Sequence, residues 1–446
     1  MRAVRVETAT FTSFDGAVAE RAEYQRPDRY RMIEADLGDR PRIARGGGYS
    51  YAAASFGAGS LVQAMTRFNR VLRFDPVARL IEVEAGANLG DLLNLTAPAG
   101  LWLPVQPGYP AITVGGCIAA NVHGKNPARE GTFVRSVADL TLFHPKHGFV
   151  RVDPGTAPLL FDLTCGGYGL TGTVLAATLR LEPLHGTTVS VRRIPVSTLA
   201  EGLSLLRTSA SRSGFAYTWH LAAPARRTFG RGFVFEGAVM PGPLPAGGLT
   251  PRYRVLTAAK RARLPISLFT PLTTRAFNLA YWRLEAARPD HEEIPLFDSL
   301  FPFVRRSEYF RLFGRPGIAE YQVLVPPGGI DGFLTELQRR ILQSEAPAVM
   351  LSLKVFKGEQ RLLRFDGNGI CVALDLIRTA AGRGFLSSLD ELTIASGGIP
   401  NIIKDSRLPK QVVRACYPDY ETFQEALRSH DPARLYRSEL SQRLDL

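Results

Sequence analysis

The sequence predicts an α+β protein of two lobes, and three observations predict it. Glycine-rich turns at Arg45-Gly46-Gly47-Gly48-Tyr49-Ser50-Tyr51, Thr113-Val114-Gly115-Gly116-Cys117 and Gly166-Gly167-Tyr168-Gly169-Leu170-Thr171-Gly172 interrupt one long series of short strand-like runs. A second series, from Glu320 to Ile403, reads β-α-β-β-α-β, the split βαβ unit of an antiparallel sheet. The 446 residues are 45% hydrophobic, enough for two or three packed cores.

In the first series, Val71 to Phe74, Leu80 to Ala85, Leu140 to Phe143, Phe149 to Val152 and Val174 to Leu181 are short apolar or alternating runs bounded by turn residues, the signature of strands. His144-Pro145-Lys146-His147-Gly148 lies between two of them and reads as a hairpin connection, so its histidines are turn residues. From His185 to Pro316 the apolar spacing is irregular and no topology is assigned. Arg252 to Arg288 mixes Lys260, Arg261 and Arg263 with Leu264, Ile266, Leu268 and Phe269, which suits either a lipid surface or a solvated loop. Beyond it, Glu320 to Val325 is a strand, and Ile330, Phe333, Leu334, Leu337 and Ile341 follow helical spacing. Val349 to Phe356 and Ile370 to Leu376 are strands, Phe385, Leu389 and Leu392 mark a helix closed by Gly397-Gly398, and Ile399 to Ile403 is the last strand.

Composition excludes several functions. Four cysteines, Cys117, Cys165, Cys371 and Cys416, show no paired spacing, which argues for reduced thiols and against structural metal. No apolar run approaches the roughly 20 residues that span a bilayer, and the N-terminus has no apolar leader, so a soluble or peripheral protein is expected. A net charge of +13 favours an anionic partner. Nucleic acid fits poorly, because the basic residues form no aromatic-interleaved stripe.

Consecutive glycines let backbone N–H groups approach a bound group with no Cβ between them, a geometry that suits a pyrophosphate. A dinucleotide Rossmann unit would need a strand, G-x-G-x-x-G and a helix in one compact element. Gly46-Gly47-Gly48-Tyr49-Ser50-Tyr51 lacks the last glycine and no helix follows it.

Three turns spread over an α+β lobe instead resemble the flavin-binding lobe of the vanillyl-alcohol-oxidase, or PCMH-type, FAD superfamily. The matching segments run in order: Arg45 to Tyr51, Glu84-Ala85-Gly86, Asp91 to Leu95, Pro107-Gly108, Val114-Gly115-Gly116 and Gly169-Leu170-Thr171-Gly172. The resemblance implies an FAD held by Arg45, Gly46, Gly47, Gly48, Tyr49, Ser50, Pro107, Gly108, Val114, Gly115, Gly116, Cys117, Ala120, Asn121, Gly124, Asn126, Gly167, Gly169, Gly172 and Val174. Tyr49 stands where members with a covalent flavin carry histidine, so the FAD is expected to be non-covalent. Cys117 reads as a small packed residue.

Within that superfamily, His123-Gly124-Lys125-Asn126 and Lys404-Asp405-Ser406-Arg407 resemble the hallmarks of the decaprenylphosphoryl-β-D-ribose 2′-oxidases of cell-wall arabinan synthesis. Arg135-Ser136, Tyr321 to Pro326, Val355-Phe356-Lys357, Tyr417-Pro418 and Asp431 to Arg434 follow in the same order. The resemblance implies a flavin lobe over residues 1–184, a substrate-binding cap over 185–398 and a C-terminal return over 399–446. It further implies oxidation of the 2′-hydroxyl of a polyprenyl-phosphate pentose, the first half of an epimerisation that a separate NAD(P)H-dependent short-chain reductase completes. The expected location is the cytoplasm, with peripheral contact at the inner face of the plasma membrane.

Oxidising a secondary alcohol requires a hydride acceptor, a base and cations for the anionic group. Lys404, read as the end of the last strand, is placed beside the flavin and the reacting hydroxyl, although a lone lysine there is ordinarily just solvated. His123 could orient substrate or take a proton, although a satisfied buried histidine is the plainer reading. Tyr51 offers a phenol near the flavin. Gln322 and Lys357, on neighbouring strands, and Lys125 supply polar groups for sugar and phosphate. Cys371 and Ala373 line the same strand, with Ala373 where the family has a cysteine. Pro127 for a histidine and Ala52-Ala53 for a Gly-Asp pair are further departures at the substrate entrance. An oxidase of soluble sugars, alditols or aldonolactones, or a flavin-binding subunit without turnover, remain the alternatives.

Overall fold

A computed structural model describes residues 5–34, 38–249, 264–306, 308–346 and 348–446. Lys260, Arg261 and Arg263 of the basic segment lie outside the described residues.

The N-terminal part of the chain contains two sheets. One is four-stranded in the order Glu7–Thr12, Ala19–Gln25, Leu61–Ala64, Arg42–Arg45, with the last two pairings parallel. The other is antiparallel, in the order Val71–Asp75, Leu80–Glu84, Thr173–Arg180, Val137–His144, Gly148–Val152. All five strands of the second sheet fall on the runs read from sequence, because strand-like alternation there coincides with one buried face. Thr113 caps the short helix Val114–Ala120, its side chain accepting from Gly116 N, and Asn88 caps Leu89–Thr96 through Asp91 N.

The remaining half is an eight-stranded sheet, antiparallel at each described pairing: His291–Pro295, Thr188–Val196, Gly232–Met240, Phe215–His220, Ala348–Phe356, Gly369–Ile377, Ile318–Val325, Ile399–Pro400. The second four strands, with helices Ile330–Gln343 and Ala380–Ala395, form the split βαβ unit expected from sequence. The segment left without a topology repeats the same strand order. Thr188–Val196, helix Leu199–Arg212, Phe215–His220, Gly232–Met240, helix Pro271–Ala286 and His291–Pro295 form a second such unit, joined to the first edge to edge at His220 and Leu351.

The two units differ in one respect that matters for the site. Val323, Val325, Val372, Leu374, Leu351 and Leu353 pack under helices on one face of the sheet, while Val189, Val191, Phe233 and Phe235 on the other join the core of the flavin lobe. Helix Pro271–Ala286 lies on this second face, where Tyr281 meets Trp219 and Trp282 meets Phe233. Its buried residues, Thr274, Asn278 and Glu285, are polar: Asn278 accepts from Ala222 N and Ala223 N and donates to Val349 O, and Glu285 pairs with buried Arg193 at 3.1 Å. After Ile399–Pro400 the chain returns to the flavin lobe, where Val413, Tyr417, Tyr420 and Leu440 share a core with Ala52, Ala53 and Ile43. Ala52 and Ala53 are almost fully buried there, so this departure from the family pattern is a packing position and not part of an entrance.

Candidate active site

The first glycine loop leaves strand Arg42–Arg45 and folds back over its own arginine. Arg45 donates to Ser55 Oγ at 2.7 Å and its guanidinium lies over Phe11 and Phe56, with Gly48 directly above it at φ +75°. Burial pushes the Arg45 pKa down to about 10, which leaves it cationic at neutral pH. A Cβ on Gly47 would lie 2.8 Å from Ala111 O, and one on Gly115 3.0 Å from the Ala85 side chain, so the first and second turns approach backbone to backbone. Among the described residues, Gly47 N and Gly48 N donate to no protein acceptor. The third turn serves the far end of the same helix: Gly166 N donates to Ile118 O and Tyr168 N to Ala119 O.

Across from these loops, one face of the second split unit presents polar groups in strict alternation. Glu320 and Gln322 point the same way from Ile318–Val325, and Ala373 and Asp375 are their direct partners on Gly369–Ile377. Lys354 on Ala348–Phe356 stands opposite Cys371. Lys404 reaches this wall from the C-terminal segment: its Nζ donates to Glu320 Oε2 at 3.0 Å and sits 4.4 Å from the centre of the Tyr51 ring. Gln322 Oε1 accepts from Asn401 Nδ2 and faces His123 Nε2 at 3.4 Å. Lys354 Nζ donates to Gly124 O at 3.4 Å. Lys125 points toward the first unit, with Nζ on Ser299 O at 2.6 Å and over the Tyr217 ring at 5.3 Å.

Burial and mutual repulsion dominate the electrostatics. Burial, then the charge of Lys354, pushes His123 down to about 3, so its imidazole is neutral across the physiological range. The same two causes lower Lys125 to about 7, and burial lowers Lys354. Asp375 is pushed up to about 7 by burial and by Glu320 beside it, and Tyr309 Oη donates to its Oδ2 at 2.6 Å. The chain has seven lysines against a large arginine complement, and three of them meet here. Lysine, unlike arginine, can lose its proton in such surroundings.

A family profile for the FAD binding domain matches residues 34–153. The chain is 29% identical over 428 residues to the decaprenylphosphoryl-β-D-ribose oxidase of Mycolicibacterium smegmatis, covering 92% of this chain and 91% of that one. It is 30% identical over 371 residues to an uncharacterised protein in the mprA 5′ region of Streptomyces coelicolor, covering 80% and 99% of the two chains. Probable L-gulonolactone oxidase 6 of Arabidopsis thaliana matches at 29% over 139 residues, 30% of this chain and 23% of the plant protein. The chain belongs to the PCMH-type FAD-binding oxidoreductases.

The loops of this flavoprotein fit a diphosphate. Gly47 and Gly48 offer two unengaged N–H groups on a turn with no room for side chains, and Arg45 adds charge beneath them. Tyr49 lies against Tyr109, ring centres 5.0 Å apart, and Ser50 Oγ is engaged by Ala52 O. Gly108 abuts Phe303 of the cap half, with Pro107 beside it. Cys117 is fully buried and its thiol is pushed up by burial, which fits the packed-residue reading. Asn121, in the left-handed region at φ 42°, bridges Thr132 Oγ1 and Val134 N, and Asn126 Nδ2 donates to Pro104 O, so both shape the loop that carries His123. Gly124 packs on the Gln106 backbone, while Ala120 ends the helix. Gly167 and Gly172 pack on Leu163 O and Phe143 O, Gly169 adopts φ +79°, and Val174 is a sheet residue.

Two expectations are corrected. Lys404 is on a turn, its N–H donating to Asn401 O, because the last strand pairs only over Ile399–Pro400. Lys357 is exposed beyond the end of its strand and does not reach the wall; Lys354, three residues earlier, does. Sequence reading missed Lys354, Glu320, Asp375 and Tyr309. The alternation of Glu320 with Gln322 carried a signal for Glu320, since residues two apart on a strand share a face.

Proposed function

We propose that this FAD-dependent oxidoreductase oxidises the 2′-hydroxyl of a polyprenyl-phosphate pentose to a keto sugar, which a separate NAD(P)H-dependent short-chain reductase then completes as an epimerisation. The observation that carries this reading is the meeting of Lys354, Lys404 and Gln322 with His123 and Lys125, which the loop after the second glycine turn brings up to them. Lysines at that density suit a phosphate monoanion and a developing alkoxide. FAD, bound without a covalent link because Tyr49 replaces the linking histidine, supplies the hydride acceptor. Lys404 holds the reacting oxygen and moves its proton. Neutral His123 orients the sugar through the nitrogen that faces Gln322. Lys125 and Lys354 hold the phosphate, and Tyr51 walls the pocket beneath Lys404. Cys371 and Ala373 complete the strand surface; with alanine at the family's cysteine position and the Cys371 thiol pushed up to about 12, no thiol chemistry is required.

The same reading places the protein in the cytoplasm, in peripheral contact with the inner face of the plasma membrane. Helix Pro271–Ala286 turns Leu272, Leu279 and Leu284 outward beside Arg275 and Arg283, an arrangement that suits an anionic lipid surface. No described helix is long and apolar enough to cross a membrane.

Anaerobic absorbance of the yellow protein tests the reading. Prenylphosphoryl ribose should bleach the flavin, while free ribose, alditols and gulonolactone should not. Bleaching by the soluble sugars alone would favour the second reading, an oxidase of soluble sugars or lactones, to which the similarity to a plant L-gulonolactone oxidase lends support.

A further inference from the structure

Glu320 and Asp375 face one another directly across neighbouring strands, and both are buried, 8% and 4% exposed. Their surroundings are asymmetric. Lys404 Nζ reaches Glu320 Oε2 at 3.0 Å and Gln322 Nε2 reaches its other oxygen at 3.4 Å, whereas among the described residues Asp375 receives only the Tyr309 hydroxyl, at 2.6 Å. The titratable groups facing the pair are Lys404 from the C-terminal turn, Lys354 from the strand beside that of Asp375, Cys371 from Asp375's own strand, Tyr309 from its short helix and Tyr51 from the first glycine loop. One ammonium in contact for two adjacent carboxylates leaves the pair with more negative charge than the site can hold, so one carboxyl keeps its proton.

We propose that Glu320 and Asp375 hold a single proton between them at neutral pH and serve as the sink for the substrate's hydroxyl proton, delivered through Lys404. The inference rests on the alcohol-oxidation reading. As the carbinol C–H bond breaks, its hydrogen leaves with both bonding electrons for the FAD, and the C–O bond becomes C=O. The O–H proton passes to Lys404 Nζ while Lys404 hands one of its own to Glu320 Oε2. Lys404 ends as the ammonium it began as. The pair goes from one proton to two and loses one negative charge, which balances the charge gained with the hydride. Asp375 touches no reacting atom: it is a positioning residue, whose retained proton sets how strongly Glu320 accepts.

Two measurements on the FAD-loaded protein test this. The first needs no substrate. A carboxyl whose folded pKa lies above its unfolded value binds more protons in the fold between pH about 4 and about 7, so stability falls as pH rises through that window. The fall in thermal midpoint between pH 5 and pH 8 should therefore be smaller in Asp375→Asn than in wild type. Glu320→Gln, which removes the neighbouring charge, should flatten it in the same direction, and decides the matter if Asp375→Asn does not fold. The second is the pH profile of anaerobic flavin reduction by a prenylphosphoryl ribose. Wild type should quicken as the retained proton leaves near neutrality, Asp375→Asn should lose that limb, and Glu320→Gln should be slower by about 10²-fold or more at every pH. Unchanged stability profiles in both variants, a limb retained in Asp375→Asn, or wild-type rates in Glu320→Gln would overturn the proposal. Wild type that never bleaches with this sugar would defeat the substrate reading, while the stability profiles would still decide the pair.

Discussion

At the scale of single residues, the site is a contest between burial and charge, and lysine is the residue it selects. Lys404 has both a carboxylate and an aromatic ring in reach, so Lys404→Met removes the group to which the proposed reading gives the hydroxyl proton and leaves the glycine loops untouched. Flavin reduction should slow by about 10²–10⁴-fold with FAD stoichiometry unchanged, as measured by rapid-mixing absorbance. His123 is held near pKa 3 by burial and by Lys354, so its charge does not change between pH 5 and pH 8. A His123→Gln variant should slow turnover yet keep the wild-type pH profile; a missing limb would mean that the imidazole titrates in turnover. Lys354→Met should raise KM for the phosphate-bearing sugar, whereas Lys357→Met should not, because Lys357 lies outside the wall. Lys404, His123, Lys125 and Gln322 could be singled out because each sits in a short run that resembles the family's motifs. Lys354 and Asp375 could not, because only cross-strand register brings them in. Lys354 lies within its strand opposite Cys371, whereas Lys357 lies past the strand's end and is exposed.

Elements decide where those residues meet. The first glycine loop can form only without side chains: a Cβ on Gly47 would come 2.6 Å from the Tyr49 ring and 2.8 Å from Ala111 O. Gly47→Ala should fold, but bind FAD weakly or not at all, as read by bound flavin per protein. Helix Pro271–Ala286 behaves in the opposite way to an ordinary surface helix, with Thr274, Asn278 and Glu285 buried and leucines outward. Its periodicity was illegible for that reason, since an apolar stripe normally marks the inward face. Asn278→Ala leaves two backbone amides and a carbonyl without their partner and should cost about 2–4 kcal/mol by denaturant unfolding. A Leu272→Glu, Leu284→Glu double variant should change stability by less than about 1 kcal/mol, yet reduce co-sedimentation with anionic vesicles. The strands of the second sheet and of the last split unit were legible because buried alternation and turn residues agree along them. The first split unit shares their strand order but not their clean patterning.

For the whole molecule, the C-terminal return adds a second junction between the two halves, beside the core that Val189, Val191, Phe233 and Phe235 share with the other half. Lys404 occupies its turn, and the helices beyond bury Tyr417, Tyr420 and Leu440 against the alanines that flank the first glycine loop. Arg42 N donates to Leu435 O and Leu440 N to Ala53 O, so the return also pairs with the backbone of that loop's neighbours. Removing residues 431–446 should therefore abolish FAD retention even though no residue there faces the site. The four cysteines are all buried, and burial raises each thiol. A thiol reagent should label none of them in the native protein and all four after denaturation. The most direct test of the central claim is anaerobic flavin bleaching by prenylphosphoryl ribose carrying deuterium at C2′. Bleaching that is complete, slower than with the unlabelled sugar and lost in Lys404→Met is the expected result. A flavin that stays yellow, or a rate indifferent to the C2′ label while a free sugar reduces it readily, would contradict the account.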